Sequence, residues 1–144
     1  MSKRFLVFAA LALICLVAGT AVAGAASSAK LSATLSGKKE LGKGAPAGKG
    51  TFTAAFKSGK LCYALKFSGL SKPVAAHIHK GTAKQNGNIV VDLQPTFHNG
   101  AAARCVSIKA SLATAIRKHA SAYYVNVHTQ KLPNGAIRGQ LSFG

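Results

Sequence analysis

From residue 31 onward, apolar and polar side chains alternate along the chain with a period of two. This pattern is typical of strands that bury one face and expose the other. Ile89, Val91 and Leu93, for example, are predicted to share one face of a strand. The segments with this alternation cover residues 31–35, 51–56, 61–67, 74–79, 89–93, 104–108, 123–129 and 137–143. They predict about eight short strands.

Turn residues and one helical stretch complete the prediction of the fold. Ser58-Gly59 indicates a tight turn that joins the second and third strands into a hairpin. Only residues 111–121 have helical spacing, with Leu112, Ala115 and Ile116 on one side and Ser111 as the predicted N-cap. The pattern therefore predicts an all-β fold, an antiparallel, Greek-key-like β-sandwich or barrel of about eight strands with one short helix.

The first 25 residues have the layout of a secretory signal peptide. Lys3 and Arg4 are followed by an apolar run over residues 5–17, and Ala23-Gly24-Ala25 offers the small residues of a cleavage site. The alternative is a retained membrane anchor, but the apolar run is short for a stable span. We therefore expect cleavage after residue 25, no transmembrane span after processing, and a secreted protein that is extracellular or associated with the cell envelope.

The charge of the chain is strongly unbalanced, with a formal net charge of +17. Loss of residues 1–25 would leave 17 basic residues against Glu40 and Asp92, a net charge of +15. Such a polycation is attracted to anionic envelope polymers or to an anionic lipid surface. Alternatively, the lysines only keep an alanine-rich surface soluble. The residues expected to lead contact with a polyanion are Lys38, Lys39, Lys43, Lys49, Lys57 and Lys60.

Several function classes are disfavoured by the same composition. Two carboxylates make paired acid–base catalysis improbable, and no nucleophile elbow occurs, so we expect no enzymatic activity. The absence of Trp and of any recognised motif argues against sequence-specific nucleic-acid binding. A protein partner remains compatible with the sequence.

Cys62 and Cys105 are the two cysteines outside the predicted signal peptide, and an even count in an exported protein predicts a disulfide. The bond would close a loop of about 43 residues, with a stabilisation of about 4 kcal/mol in the chain-entropy model. The alternative is two free thiols. Both cysteines lie out of phase with the apolar positions, which predicts a bond on an outer or edge surface.

Histidine carries the most specific chemical pattern in the sequence. His77 and His79 lie on one face of a predicted strand, and Tyr124, Asn126 and His128 lie on one face of a later strand. If the two strands are neighbours, His77, His79 and His128 converge into a site suited to copper or zinc. The residues expected to support the site by hydrogen bonds are Asn126, Asp92 and Arg138. The alternative is a structural hydrogen-bond network without a cofactor.

Five segments in a fixed order resemble the CHRD domain, the module named after chordin. They are Leu35-Ser36-Gly37-Lys38-Lys39-Glu40, Ala76-His77-Ile78-His79-Lys80-Gly81, Asn86-Gly87, Tyr124-Val125-Asn126-Val127-His128-Thr129 and Gly135-Ala136-Ile137-Arg138-Gly139-Gln140-Leu141. The resemblance covers residues 31–143 and implies a single all-β domain of the kind found in chordin, an extracellular antagonist of bone morphogenetic proteins, and in secreted bacterial proteins. The positions that match the family pattern are His77, His79, Gly81, Asn86, Gly87, Asn126, His128, Arg138 and Gly139.

The resemblance also sets expectations for function. Together with the composition, it leads us to expect a secreted, non-enzymatic binding module without a cofactor, which its basic surface would hold at an anionic envelope. The alternative is a copper- or zinc-binding protein, because the His-x-His strand is similar to the copper-ligand strand of Cu/Zn superoxide dismutases. Ala136 stands where the family usually has Glu, so a carboxylate role at that position is lost here.

Overall fold

The structure, a computed structural model, describes residues 30–144, so the predicted signal peptide lies outside the described residues. In this part of the chain, no helix combines the length and the hydropathy needed to cross a membrane. The elements are β1 Leu31–Ser36, β2 Lys49–Lys57, β3 Lys60–Ser68, β4 Pro73–Lys80, β5 Ile89–Asp92, β6 Ala101–Ser107, α1 Ala110–Lys118, β7 Tyr123–Thr129, β8 Ile137–Gln140 and β9 Ser142–Phe143. The predicted last strand is divided at Leu141 into β8 and β9.

All strand pairs are antiparallel, and the strands follow one another in the order β5-β4-β7-β8-β1-β2-β3-β6, with β9 pairing to β1. The sheet curls into a nearly closed barrel. Two side chains bridge its open side: the Tyr63 hydroxyl donates to Leu93 O at 3.1 Å, and Arg104 donates to Gln94 O at 3.1 Å. The predicted all-β fold with one helix is confirmed.

The core lies inside the barrel and consists mostly of the apolar positions that the alternation singled out. Phe52 is fully buried and stacks on Tyr63, with 5.8 Å between the ring centroids. The other core residues with no exposed surface are Leu31, Leu61, Leu65, Ala76, Ile78, Leu93, Ile116, Val125, Val127, Ala136 and Ile137. Burial of this surface stabilises the fold by about 25 cal/mol per Å² of apolar area.

The β2–β3 hairpin and the disulfide follow the sequence-based predictions. Ser58 and Gly59 both have positive φ angles, 48° and 73°, as a two-residue turn of the type I′ family requires. Cys62 and Cys105 lie directly opposite each other on β3 and β6, with 3.9 Å between their Cα atoms, and form a disulfide bond. β6 is the edge strand at one end of the sheet, and Cys105 is exposed. The disulfide therefore links this edge strand to β3 on the outer surface of the barrel.

The predicted N-cap of the helix is wrong by two residues. The first hydrogen bond of α1 runs from Ala113 N–H to Lys109 O, so Lys109 is the N-cap and Ser111 lies in the first turn. No side chain caps this end. Ile116 is buried, and Leu112 packs against the core as predicted.

The prediction that Ile89 shares a strand face with Val91 and Leu93 is also wrong. The pairing of β4 with β5 shifts by one residue, since Ile78 pairs with Val91 but His79 pairs with Ile89. This bulge breaks the alternation of faces along the strand. Val91 is therefore buried, whereas Ile89 is 52% exposed.

Candidate metal centre

The predicted convergence of histidines depends on the order of the strands. β7 lies between β4 and β8, so that Asn126 pairs with His77 on one side and with Arg138 on the other. Tyr124 and His128 share the face of Asn126, while Val125 and Val127 point into the core. The polar face of these three strands is therefore the outer face of the barrel wall.

The structure brings His77, His79 and His128 together on this face. One ring nitrogen from each of them lies within 4.8 Å of the others. His77 Nδ1 and His128 Nε2 are 3.0 Å apart, and the centroids of the His79 and His128 rings are 6.2 Å apart. The side chain of His77 is 16% exposed and His79 is 8% exposed, so the cluster is shielded but not sealed.

Backbone carbonyls determine which nitrogen of two of these rings carries the proton. His79 Nδ1 is 2.8 Å from Gly87 O, and His128 Nδ1 is 2.8 Å from Pro133 O. A carbonyl only accepts hydrogen bonds, so both Nδ1 atoms are donors and both Nε2 atoms keep a lone pair. His79 Nε2 is buried and has no hydrogen-bond partner among residues 30–144.

The surroundings favour the neutral form of the His77 and His128 imidazoles. Burial and the neighbouring His128 lower the pKa of His77, against the opposing effect of Asp92, whose Oδ1 is 3.9 Å from His77 Nε2. Burial also lowers the pKa of His128, although its hydrogen bond to Pro133 O acts in the other direction. A neutral imidazole is the form that binds a metal ion.

A stack of side chains supports the cluster from the side of β8. The Tyr124 ring stacks on His79, with 4.8 Å between centroids and 6° between planes, and the Arg138 guanidinium lies 3.4 Å from the Tyr124 centroid. The hydroxyl of Tyr124 accepts a hydrogen bond from Gly87 N–H at 3.2 Å. Tyr124 therefore contacts both His79 and the residue that orients it.

Arg138 is 1% exposed and holds the loop over residues 81–88. Its guanidinium donates to Asn86 Oδ1 at 3.0 Å and to the carbonyls of Thr82 and Gln85, both at 2.7 Å. Gly87 in the same loop has no space for a side chain, because a Cβ atom there would overlap Lys80 O. The loop thus holds Gly87 O in the position where it accepts the hydrogen bond from His79 Nδ1–H.

Comparison with known families gives one match. The family model described as CHRD domain matches residues 31–141. The chain belongs to the CHRD family. Searches of curated proteins and of solved structures return no match.

In this CHRD chain, a carboxylate reaches the histidine face by a route that the sequence did not reveal. Glu40 Oε1 accepts a hydrogen bond from Asn126 Nδ2 at 3.3 Å and lies against Gly135, next to the buried Ala136. Burial raises the pKa of Glu40, although the Asn126 hydrogen bond and Arg138 oppose this shift. The loss of a carboxylate at position 136 therefore does not leave this face without one.

Glu40 is the residue of the site that sequence reasoning missed as a functional candidate, whereas Tyr124 was predicted to share the face of Asn126 and His128 but was given no role. Glu40 lies in one of the five family segments, and this was the only signal for it. Of the other residues expected to support the site, Arg138 acts through the loop, and Asp92 lies beside His77.

The CHRD chain does not assemble the full set of ligands of a Cu/Zn superoxide dismutase within residues 30–144. His98 and His119 are exposed and lie outside the cluster, so three histidines form the group. His98 instead contacts Asn99 through its Nε2 atom at 3.1 Å. The similarity to the copper-ligand strand therefore extends to the His-x-His pattern and to one later histidine.

Proposed function

We propose that this CHRD protein is exported and binds one copper or zinc ion through His77 Nδ1, His79 Nε2 and His128 Nε2. The observation that carries the proposal is the assignment of the protons on two of the rings. Gly87 O and Pro133 O accept hydrogen bonds from the Nδ1–H groups of His79 and His128. The Nε2 lone pairs of the two histidines therefore remain available to a cation. Carbonyls that orient ligating histidines in this way are a regular feature of metal sites.

The third ligand fits the same arrangement. Without a cation, His77 Nδ1–H donates a hydrogen bond to His128 Nε2 at 3.0 Å. With the proton on Nε2 instead, that proton faces Asp92 Oδ1 and the Nδ1 lone pair becomes available. The buried and unpartnered Nε2 of His79 gains an interaction in the process.

The distribution of charge supports a site for a cation. The whole chain has only two carboxylates against 19 basic residues, and both carboxylates lie at the histidine face. Asp92 is paired in register with His77, and Glu40 is hydrogen-bonded to Asn126, the other neighbour of His77. In a protein with a large positive field, this placement lowers the local cost of binding a cation.

The type of ligand narrows the choice of metal ion. Three imidazoles suit copper and zinc, and the Irving–Williams order ranks Cu²⁺ above Zn²⁺ at a given site of nitrogen ligands. Both thiols outside residues 1–25 are used in the disulfide, so they do not compete for the ion. We therefore expect Cu²⁺ to bind more tightly than Zn²⁺.

Titration of the mature chain, purified without an affinity tag, tests the proposal. We expect one Cu²⁺ per chain by calorimetry, and an affinity at least about 100-fold weaker in His79→Ala, because losing even an outer-shell partner costs about 10- to 100-fold. His119→Ala, which removes an exposed histidine outside the cluster, is the matched control and should bind like the wild type. A folded wild type that binds no metal, or equal losses in both variants, would refute the proposal.

A second proposal concerns where the protein is retained. The six lysines named from the sequence are all exposed. We infer that the protein is held electrostatically at an anionic envelope polymer or lipid surface. The predicted signal peptide and the disulfide both favour a location outside the cytoplasm. Such retention weakens as salt rises.

A further inference from the structure

A cavity of about 550 Å³ lies beside the histidine cluster, on the outer face of β4 and β7. Its lining residues include His79 on β4, Tyr124 on β7, Glu40 and Lys43 on one loop, and Lys131 on another. This volume is in the range of small-molecule sites. Neither the family match nor the proposed metal accounts for it.

The interior of the cavity offers hydrogen-bond acceptors. Asn126 lines it and is 3% exposed, and its Oδ1 atom is buried with no hydrogen-bond partner within the described part of the chain. A buried amide oxygen without a donor is unfavourable, so a ligand hydroxyl that reaches this oxygen after a small rotation of the Asn126 side chain is favoured here. A second acceptor is the Glu40 carboxyl, which also accepts a hydrogen bond from Nδ2 of the same Asn126.

The outer part of the cavity is positively charged. Lys43 and Lys131 line it from opposite segments, and both are exposed. Neither lysine forms a salt bridge to a carboxylate among residues 30–144. A ligand that fits the cavity should therefore place hydrogen-bond donors toward Asn126 and Glu40 and a negative charge toward the two lysines.

We propose that this cavity binds a small hydroxylated organic anion of the sugar-acid class. Its hydroxyl groups donate to Asn126 Oδ1 and to the Glu40 carboxyl, and its carboxylate faces Lys43 and Lys131. A free sugar acid and the terminal unit of an acidic polysaccharide present the same chemistry to the site. The proposal goes beyond metal binding and does not depend on it.

Titration of the mature chain with sodium glucuronate, followed by amide chemical shifts, tests this assignment. We expect the shifts to concentrate at Gly87, Asn126 and Gly135, with an affinity at least about tenfold above that for glucose or propionate. Glucose has the hydroxyls without the charge, and propionate has the charge without the hydroxyls. A glucuronate trisaccharide that binds more tightly than the monomer would identify the polymer terminus as the source, and equal affinities would identify the free acid.

Two double variants with the same change in net charge separate a site from a general field. Lys43→Gln with Lys131→Gln should weaken glucuronate binding at least about tenfold. Lys57→Gln with Lys60→Gln, at the tip of the β2–β3 hairpin, should leave it unchanged. Equal losses in the two double variants, or no preference for glucuronate over glucose, would overturn the proposal.

His77→Ala distinguishes this proposal from the proposed metal function. His77 is a proposed metal ligand but does not line the cavity. The variant should lose metal binding and keep its affinity for glucuronate. If it loses glucuronate binding instead, the anion is a co-ligand of the metal and the cavity assignment is wrong.

Discussion

The orientations of the side chains on the histidine face depend on a few individual hydrogen bonds rather than on burial alone. His79 and Asn126 each have one polar atom that is hydrogen-bonded and one that is buried without a partner. Native proteins leave few such atoms unsatisfied, and those that remain require an explanation. The two atoms lie at the two sites proposed above, the metal centre and the cavity, and an ion and a ligand, respectively, would satisfy them.

The partly buried carboxyl of Glu40 should have a measurable effect on the stability of the fold. Burial raises its pKa above the ordinary value of 4.5, so the folded protein favours the protonated carboxyl more than the unfolded chain does. The stability that this group contributes is complete below pH 4.5 and is lost as the pH rises through its pKa in the folded state. We expect Glu40→Gln, which removes this loss, to raise the melting temperature at pH 7 by a few degrees and to have a smaller effect at pH 4.

Thermal unfolding at both pH values, in the presence of a metal chelator, measures this difference. Asp92→Asn is the control, because it removes the other carboxylate of the chain, whose side chain is 59% exposed. A Glu40→Gln variant that melts at or below the wild-type temperature at pH 7 would contradict the prediction.

At the scale of elements, the histidine site depends on the contact of β8 with the 81–88 loop. Arg138 makes three hydrogen bonds to this loop and stacks on Tyr124, while Gln140, also on β8, donates to Gly81 O at 2.6 Å. The loop in turn orients His79 through Gly87 O. β8 therefore helps to position His79 although it supplies none of the three clustered histidines.

Arg138→Lys tests this coupling between elements. Lysine keeps the charge but lacks the planar fork that reaches three acceptors, and hydrogen bonds to charged groups contribute about 1.5–3 kcal/mol each. We expect faster amide hydrogen exchange in residues 81–88, a loss of about 2 kcal/mol in the free energy of unfolding, and Cu²⁺ affinity about tenfold weaker.

Arg104→Lys is the matched control, since Arg104 is exposed and makes one hydrogen bond to Gln94 O. It should change neither metal affinity nor exchange in the loop. Unchanged Cu²⁺ affinity in a folded Arg138→Lys protein would show that the loop does not position His79.

At the scale of the whole molecule, the positive charges are spread over the barrel instead of forming one patch. Lys38, Lys39 and Lys43 lie in the β1–β2 connection, near Lys49 at the start of β2. The other two lysines of the set, at the far ends of the same hairpin strands, lie about 26 Å away along β2 at about 3.3 Å per residue. Binding to a polyanion should therefore depend on total charge more than on position.

Vesicles that contain phosphatidylglycerol test this expectation. Lys38→Gln with Lys39→Gln and Lys57→Gln with Lys60→Gln should weaken binding by similar factors, within about twofold of each other. Binding of the wild type should be largely lost between about 0.05 and 0.5 M NaCl. A loss confined to one double variant would point to a local patch, and retention that is insensitive to salt would exclude the electrostatic mechanism.

The barrel itself was largely predictable from the sequence, because strand periodicity is a local property. Side chains alternate between two faces, so the apolar positions define the core and the out-of-phase cysteines define an outer surface. This reasoning fails where the backbone departs from regular geometry. The bulge opposite His79 exposes Ile89, and the helix begins at Ala110 rather than after Ser111.

By itself, the sequence determined the strands, the hairpin, the disulfide, the family and the three histidines that share strand faces. Only the tertiary structure decided that β4 and β7 are neighbours, that Gly87 O and Pro133 O assign the imidazole protons, and that Glu40 reaches Asn126. The reason is sequence separation. Glu40 and Asn126 are 86 residues apart, and no local pattern encodes a contact that depends on how a whole barrel closes.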